Sequence, residues 1–204
     1  MSSSASLEVS RSTPPDVQIT MTAGRAVLLP IAVYAWQVLG AGYTFRAVQG
    51  ERMSTSGRAW LISVGFVALV ANAGDGLVNP LLFALGCAGL IAALVLFEWA
   101  RRTVRGQFFS WIFSSDTPAF LCTSGPYAYV RNPFYTSYLL TMASTLVMVP
   151  SLFRLLVLGG LVIYFEVAAR HEERKFASST LAEEYARYRQ RTGRFLPKFS
   201  AMRR

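Results

Sequence analysis

The stretch from Gly125 to Tyr138, GPYAYVRNPFYTSY, sets four tyrosines, two prolines and an arginine directly ahead of an apolar run. Gly125-Pro126 is a turn signal. Pro133 after Asn132 suits the first turn of a helix, with Asn132 expected at its N-cap. Read alone, Tyr127, Tyr129, Tyr135 and Tyr138 would form an aromatic belt anchoring a membrane helix at the headgroup level. Whether they form a belt or a site depends on what flanks them.

Of the 204 residues, 53% are hydrophobic and 15% charged, and the mean hydropathy is +0.37. That balance is too apolar for an ordinary soluble domain. Apolar runs occupy 26–45, 59–74, 77–97, 133–149 and 151–165. A helix needs about 20 apolar residues to cross roughly 30 Å of hydrocarbon, so the second, fourth and fifth runs are short. The predicted fold is all-α, a polytopic membrane protein of about five transmembrane helices. The linker NAGDGLVNP and the turn at Pro150 make the second and third runs one helical hairpin, and the fourth and fifth another. Residues 1–24 form a Ser/Thr/Pro-rich tail expected to be disordered, 25–100 hold the first three helices, and 101–204 hold the remainder.

The formal charge of +9 tests this layout. Arg46, Arg52 and Arg58 lie between the first and second runs. Arg101, Arg102, Arg105 and Arg131 lie between the third and fourth, and the segment from Arg170 onward is strongly basic. Only Arg11, Arg25 and Arg154 fall on the other side, against seventeen. The positive-inside bias then puts the N-terminus outside and the C-terminus in the cytoplasm. The same asymmetry accounts for the charge without nucleic acid and leaves membrane lipids as the partner. Cys87 and Cys122 have neither metal-ligand nor disulfide-framework spacing, and His171 is the single histidine, so no metal site is expected.

The loop before the fourth run and the tail after the fifth are separated only by an out-and-back hairpin, which should bring them together at the cytoplasmic face. Read as one string, TSGPYAYVRNPFYTSY resembles the signature of the isoprenylcysteine carboxyl methyltransferase family, which methylates with S-adenosylmethionine. EERKF followed by LAEEYARYRQRTGRFLP is similar to the same family's C-terminal pattern. The resemblance covers roughly the last hundred residues and implies a cytoplasm-facing cofactor pocket walled by the two segments. It implies that Phe120, Leu121, Cys122, Tyr127, Asn132, Pro133, Phe134, Tyr135 and Glu173 contact the cofactor, S-adenosylmethionine, and Arg131 among them offers a guanidinium for its carboxylate end. It further implies a substrate-facing arginine one turn before Glu173. Ala169 fills that slot and Arg170 is its neighbour. Arg191 is expected at the family's arginine before Leu-Pro.

These residue types suit the chemistry. Aromatic faces and a carboxylate favour a sulfonium, and an arginine favours a carboxylate. In-line methyl transfer gains chiefly from holding its reactants in a dry site. Asn132 replaces a histidine common in the family, while Ser137 and Ala182 replace glycines. Glu172, Glu183 and Glu184 read as a solvated helix face paired with Arg174, Lys175 and Arg187. Glu166 reads either as the partner of Arg170 or as the floor of a cavity, and Glu98 as the partner of Arg102. The resulting expectation is an integral membrane methyltransferase acting on a lipidic or apolar acceptor. That acceptor is a prenylcysteine-like carboxylate, a phospholipid amine or a small thiol. The competing reading is a noncatalytic small membrane subunit.

Overall fold

The computed structural model describes residues 28–44, 79–105, 118 and 120–198. The N-terminal tail, the second apolar run and most of the loop that leads to Phe120 lie outside the described residues. Within them the chain is helical: α1 (Leu28–Thr44), α2 (Pro80–Thr103), α3 (Pro133–Met148), α4 (Leu152–Ala177) and α5 (Ala182–Arg191), with a short 3-10 turn at Gly125–Ala128. Two of these, α2 and α4, are long and apolar enough to cross a membrane.

Helix α2 begins where the sequence supplies both start signals. The Asn79 side chain accepts from the amides of Leu81 and Leu82, and Pro80 takes the first helical position, where its missing N–H costs nothing. It packs antiparallel to α3 at close range because both helices present small residues. A Cβ added at Gly86 would lie 2.1 Å from Met148 Cγ, and one added at Gly89 would lie 2.2 Å from Ser144 Oγ. Without a hydrophobic drive between helices in lipid, such close backbone approach supplies the packing. The hydroxyls of Ser137, Thr141, Ser144 and Thr145 are kept satisfied by carbonyls three or four residues back in α3.

Helix α1 leans on this pair. Val33 packs with Leu90 and Met148, fully buried Gln37 donates to Thr141 at 3.0 Å, and Gly40 lies against the ring of Phe97. Contacts that advance together along both helices make α1 and α2 parallel. The end of α1 therefore sits at one end of the bundle and the start of α2 at the other.

The largest departure from the apolar runs is in α4. Its apolar stretch stops at Phe165, yet the helix continues to Ala177 through Glu166, Arg170, Glu172 and Glu173. The polar extension stays helical because its carboxylates find partners on neighbouring elements. Near Glu98 the expected pair is present with a shift. Arg101 is the close partner at 2.7 Å, Arg102 the distant one at 3.9 Å, and Trp36 of α1 also donates to the carboxylate.

Candidate functional site

The C-terminal ends of α2 and α4, the start of α3 and the two flanking segments converge at one end of the bundle. The turn that opens the motif needs its glycine. Gly125 has φ +56°, and a Cβ there would lie 2.4 Å from Thr103 Oγ1 at the end of α2. From this turn the chain runs beside the C-terminal segment, bridging Val130 to Gly193 in parallel. Arg131 N donates to Gly193 O at 2.8 Å, Asn132 N to Arg194 O at 3.2 Å, and Gly193 N to Tyr129 O at 3.3 Å. The two segments predicted to meet do so through their backbones.

Side chains reinforce the join. Tyr188 of α5 donates to the Tyr127 carbonyl at 2.7 Å, and Thr136 donates to Phe195 O at 3.0 Å. Asn132 occupies the N-cap position of α3 but makes no capping bond. Its amide donates instead to Arg194 O at 3.3 Å. With Pro133 at the first helical position, α3 has one fewer amide to cap, which frees Asn132 for that tie.

At the centre lies a row of alternating charges. The Arg131 guanidinium meets Glu173 at 3.0 Å with both side chains about nine-tenths buried. Arg194 takes the other oxygen of Glu173 at 2.8 Å and reaches Glu166. Glu166 in turn holds exposed Arg170 at 2.9 Å. Arg131 also donates to the carbonyls of Arg189 and Thr192, fastening the end of α5. The Glu173 carboxylate beside Arg194 raises that guanidinium further above its ordinary value, so it stays charged.

The aromatic residues sit inward of this row. Tyr135 is buried, stacks on Phe165 with ring centroids 4.8 Å apart, and donates its hydroxyl to Glu172 at 2.7 Å. Phe134 meets Phe97 edge-on at 5.4 Å. Tyr138 leans on both Phe97 and Phe165. Burial raises the phenols of Tyr127 and Tyr188 and pushes Tyr185 up to about 12, so all three serve as neutral hydrogen-bonding groups.

Of the residues singled out in the sequence, Tyr127, Arg131, Asn132, Pro133, Phe134, Tyr135 and Glu173 are thus drawn into one cluster. Phe120, Leu121 and Cys122 run into it half-buried. Arg170 is tied to Glu166 at the rim. Arg191 is exposed at the end of α5, and Arg194 is the arginine that turns inward.

Glu172 departs from its expected solvated setting. It is half-buried and bonded to Tyr135, since the helix rotates it about 100° from Glu173 and onto the aromatic side. Glu183 and Glu184 are exposed as expected. Arg194 could have been found from its place directly before Phe195-Leu196-Pro197. Glu172 had no local signal, because its partner lies 37 positions away.

The sequence pattern of the family described as phospholipid methyltransferase matches residues 81–184, which takes in α2, the turn, α3, α4 and the start of α5. A search of curated proteins finds no match.

Proposed function

The chain belongs to the phospholipid methyltransferase family, and from that premise we propose that it is an integral membrane enzyme moving a methyl group from S-adenosylmethionine to a lipidic acceptor. The observation that carries the reading is the junction of the two motif segments, where aromatic faces, carboxylates and guanidiniums gather at one end of apolar helices. That donor set fits the cofactor's chemistry. Tyr127, Tyr135 and the half-buried run Phe120 to Cys122 offer faces to a heterocycle and a sulfonium, carboxylates offset the positive charge, and guanidiniums suit an amino acid carboxylate. When bound, S-adenosylmethionine supplies an electrophilic methyl group. The chain's own part is to hold the acceptor in line and keep water out.

Arg170 is the residue proposed to face the acceptor. Glu166 holds its Nε on the bundle side, and its exposed position at the rim lets the rest of the fork meet an anionic headgroup group. The acceptor reaches this rim sideways from the bilayer, its apolar part remaining among the helices. Calorimetric titration of the purified chain with S-adenosylhomocysteine should give saturable 1:1 binding, and lipid extracts should then accept labelled methyl groups. Absence of both binding and transfer would refute the assignment.

The proposed orientation places this end of the bundle in the cytoplasm. Arg101, Arg102, Arg131, Arg194 and Lys198 all belong to it, while Arg154 stands at the opposite end. Parallel α1 and α2 support an odd number of crossings, because the chain between Thr44 and Asn79 joins opposite ends of the bundle. Cysteines introduced near residues 10 and 200 should therefore label from opposite faces of sealed vesicles. Labelling from one face would give an even number of spans.

A further inference from the structure

An arginine near the end of a membrane span ordinarily extends its head outward to water or headgroups while its stem lies on apolar surface. Arg154, in the first turn of α4, turns inward instead, and only 4% of it is exposed. Its side chain folds back over the start of its own helix, where Nη1 donates to the Val149 carbonyl at 2.8 Å and to Ser151 Oγ at 3.4 Å. Nε is buried with no hydrogen-bond partner, and Nη2 makes no described bond. No carboxylate pairs with this guanidinium among the described residues.

The backbone at the same place is positive as well. Ser151 caps α4 by accepting from the Arg154 amide at 3.2 Å, while the amides of Leu152 and Phe153 have no described partner. A 26-residue helix brings the positive end of its dipole to these amides. Guanidinium and helix start therefore crowd two positive features together without an anion, and a buried charge without a counter-ion is costly. The edge formed by Nε and Nη2 is the one that meets two oxygens of a single oxyanion. Beside it Leu152, Phe153, Leu155 and Leu156 are exposed, an apolar surround that suits acyl chains.

We propose that Arg154 and the α4 N-terminus form a phosphate-binding site at the end of the bundle opposite the candidate functional site, filled by the phosphodiester of a phospholipid in that leaflet. Free phosphate shares the chemistry and is the other source to be separated. Because the guanidinium also holds the Val149 carbonyl, a bound phosphate would pin the end of α3 to the start of α4. The site goes beyond the methyltransferase reading and does not rest on it.

The test follows the melting temperature of the full chain, delipidated in maltoside detergent, against three probes. These are dioctanoyl phosphatidylglycerol, dioctanoylglycerol, which lacks the phosphate, and inorganic phosphate. Phosphatidylglycerol should raise the native melting temperature saturably, and dioctanoylglycerol should not. An equal response to inorganic phosphate keeps the site and makes its ligand the free ion. Arg154→Gln should raise the half-saturating lipid concentration about tenfold. Arg154→Lys, which keeps the charge and loses the fork, should raise it about threefold and decides the matter if the glutamine variant does not fold.

Without lipid both variants should melt within about 2 °C of the native chain, since the unpartnered charge that they remove or relocate offsets its one carbonyl bond. A guanidinium that merely caps the Val149 carbonyl would lower the melting temperature equally with and without lipid, which overturns the proposal. An undiminished lipid response in both variants overturns it too. Asp75 stands four positions before Asn79 in the sequence. If the native chain ignores lipid and phosphate while Asp75→Asn responds to them, the counter-ion is the chain's own carboxylate and the proposal fails.

Discussion

Glu173→Ala should lower the melting temperature of the detergent-solubilised protein by roughly 10 °C. The alanine would leave the guanidiniums of Arg131 and Arg194 facing each other without their shared anion, at side-chain exposures of 8% and 26%. Removing one partner of a buried pair costs about 3 to 5 kcal/mol, because the remaining charge stays desolvated. The lower part of that range applies here, since Arg194 is open to solvent and Arg131 keeps its bonds to the Arg189 and Thr192 carbonyls. Glu173→Gln should fall between, as an amide oxygen still accepts from one guanidinium. A melting curve unchanged by Glu173→Ala would mean that the row of charges does not hold the site end of the bundle together.

Gly193→Ala is the second change expected to have a large effect, and its cause is steric. A Cβ built on Gly193 would lie 1.6 Å from the Leu196 carbonyl oxygen and 2.8 Å from its carbon. Backbone atoms cannot yield as the tip of a side chain can, so the turn from Gly193 to Leu196 must open. That turn presents the carbonyls of Gly193, Arg194 and Phe195 to Arg131, Asn132 and Thr136. Its distortion should cost roughly 2 to 4 kcal/mol and should weaken S-adenosylhomocysteine binding more than Gly159→Ala does. Nothing lies within 4 Å of a Cβ at Gly159, so that variant is the control. Equal behaviour of the two variants would show that the segment tolerates a different turn.

The sequence carried the helices wherever apolarity and a start signal coincided. Asn132 with Pro133 marks the beginning of α3 as observed, whereas the run taken from residue 77 becomes helical only at Pro80, behind the Asn79 cap. Apolarity stopped being informative at Glu166. The rest of α4 is held in place by pairings that span from 21 to 42 positions, which no local window records. The joining of the two motif segments was legible because the hairpin between them is short. That Arg194 and not Arg191 turns inward, and that Glu172 is half-buried against Tyr135, was not, since this depends on helix rotation at Glu172 and on the tight turn after Gly193. Arg191 and Arg194 differ by three positions, yet one ends an exposed helix and the other begins a segment laid along Arg131 and Asn132. The charges on Glu183 and Glu184 followed the simple amphipathic rule because their side chains face water.

The parallel bridge between Val130 and Gly193 also sets an order of events during synthesis. Asn132 leaves the ribosome 62 positions before its partner Arg194, and the whole α3–α4 hairpin is made in the interval. Closing a loop of that length costs chain entropy that grows only slowly with length, so the delay is one of availability more than of energy. Arg131 has no anion to meet until α4 is complete to Glu173, and no strand-like neighbour until Gly193 emerges. Nascent chains halted between these points would hold their helices in the bilayer with the motif loop unfastened. Competence to bind ligand would therefore arise in a single late step, timed by the last turn of polypeptide to appear.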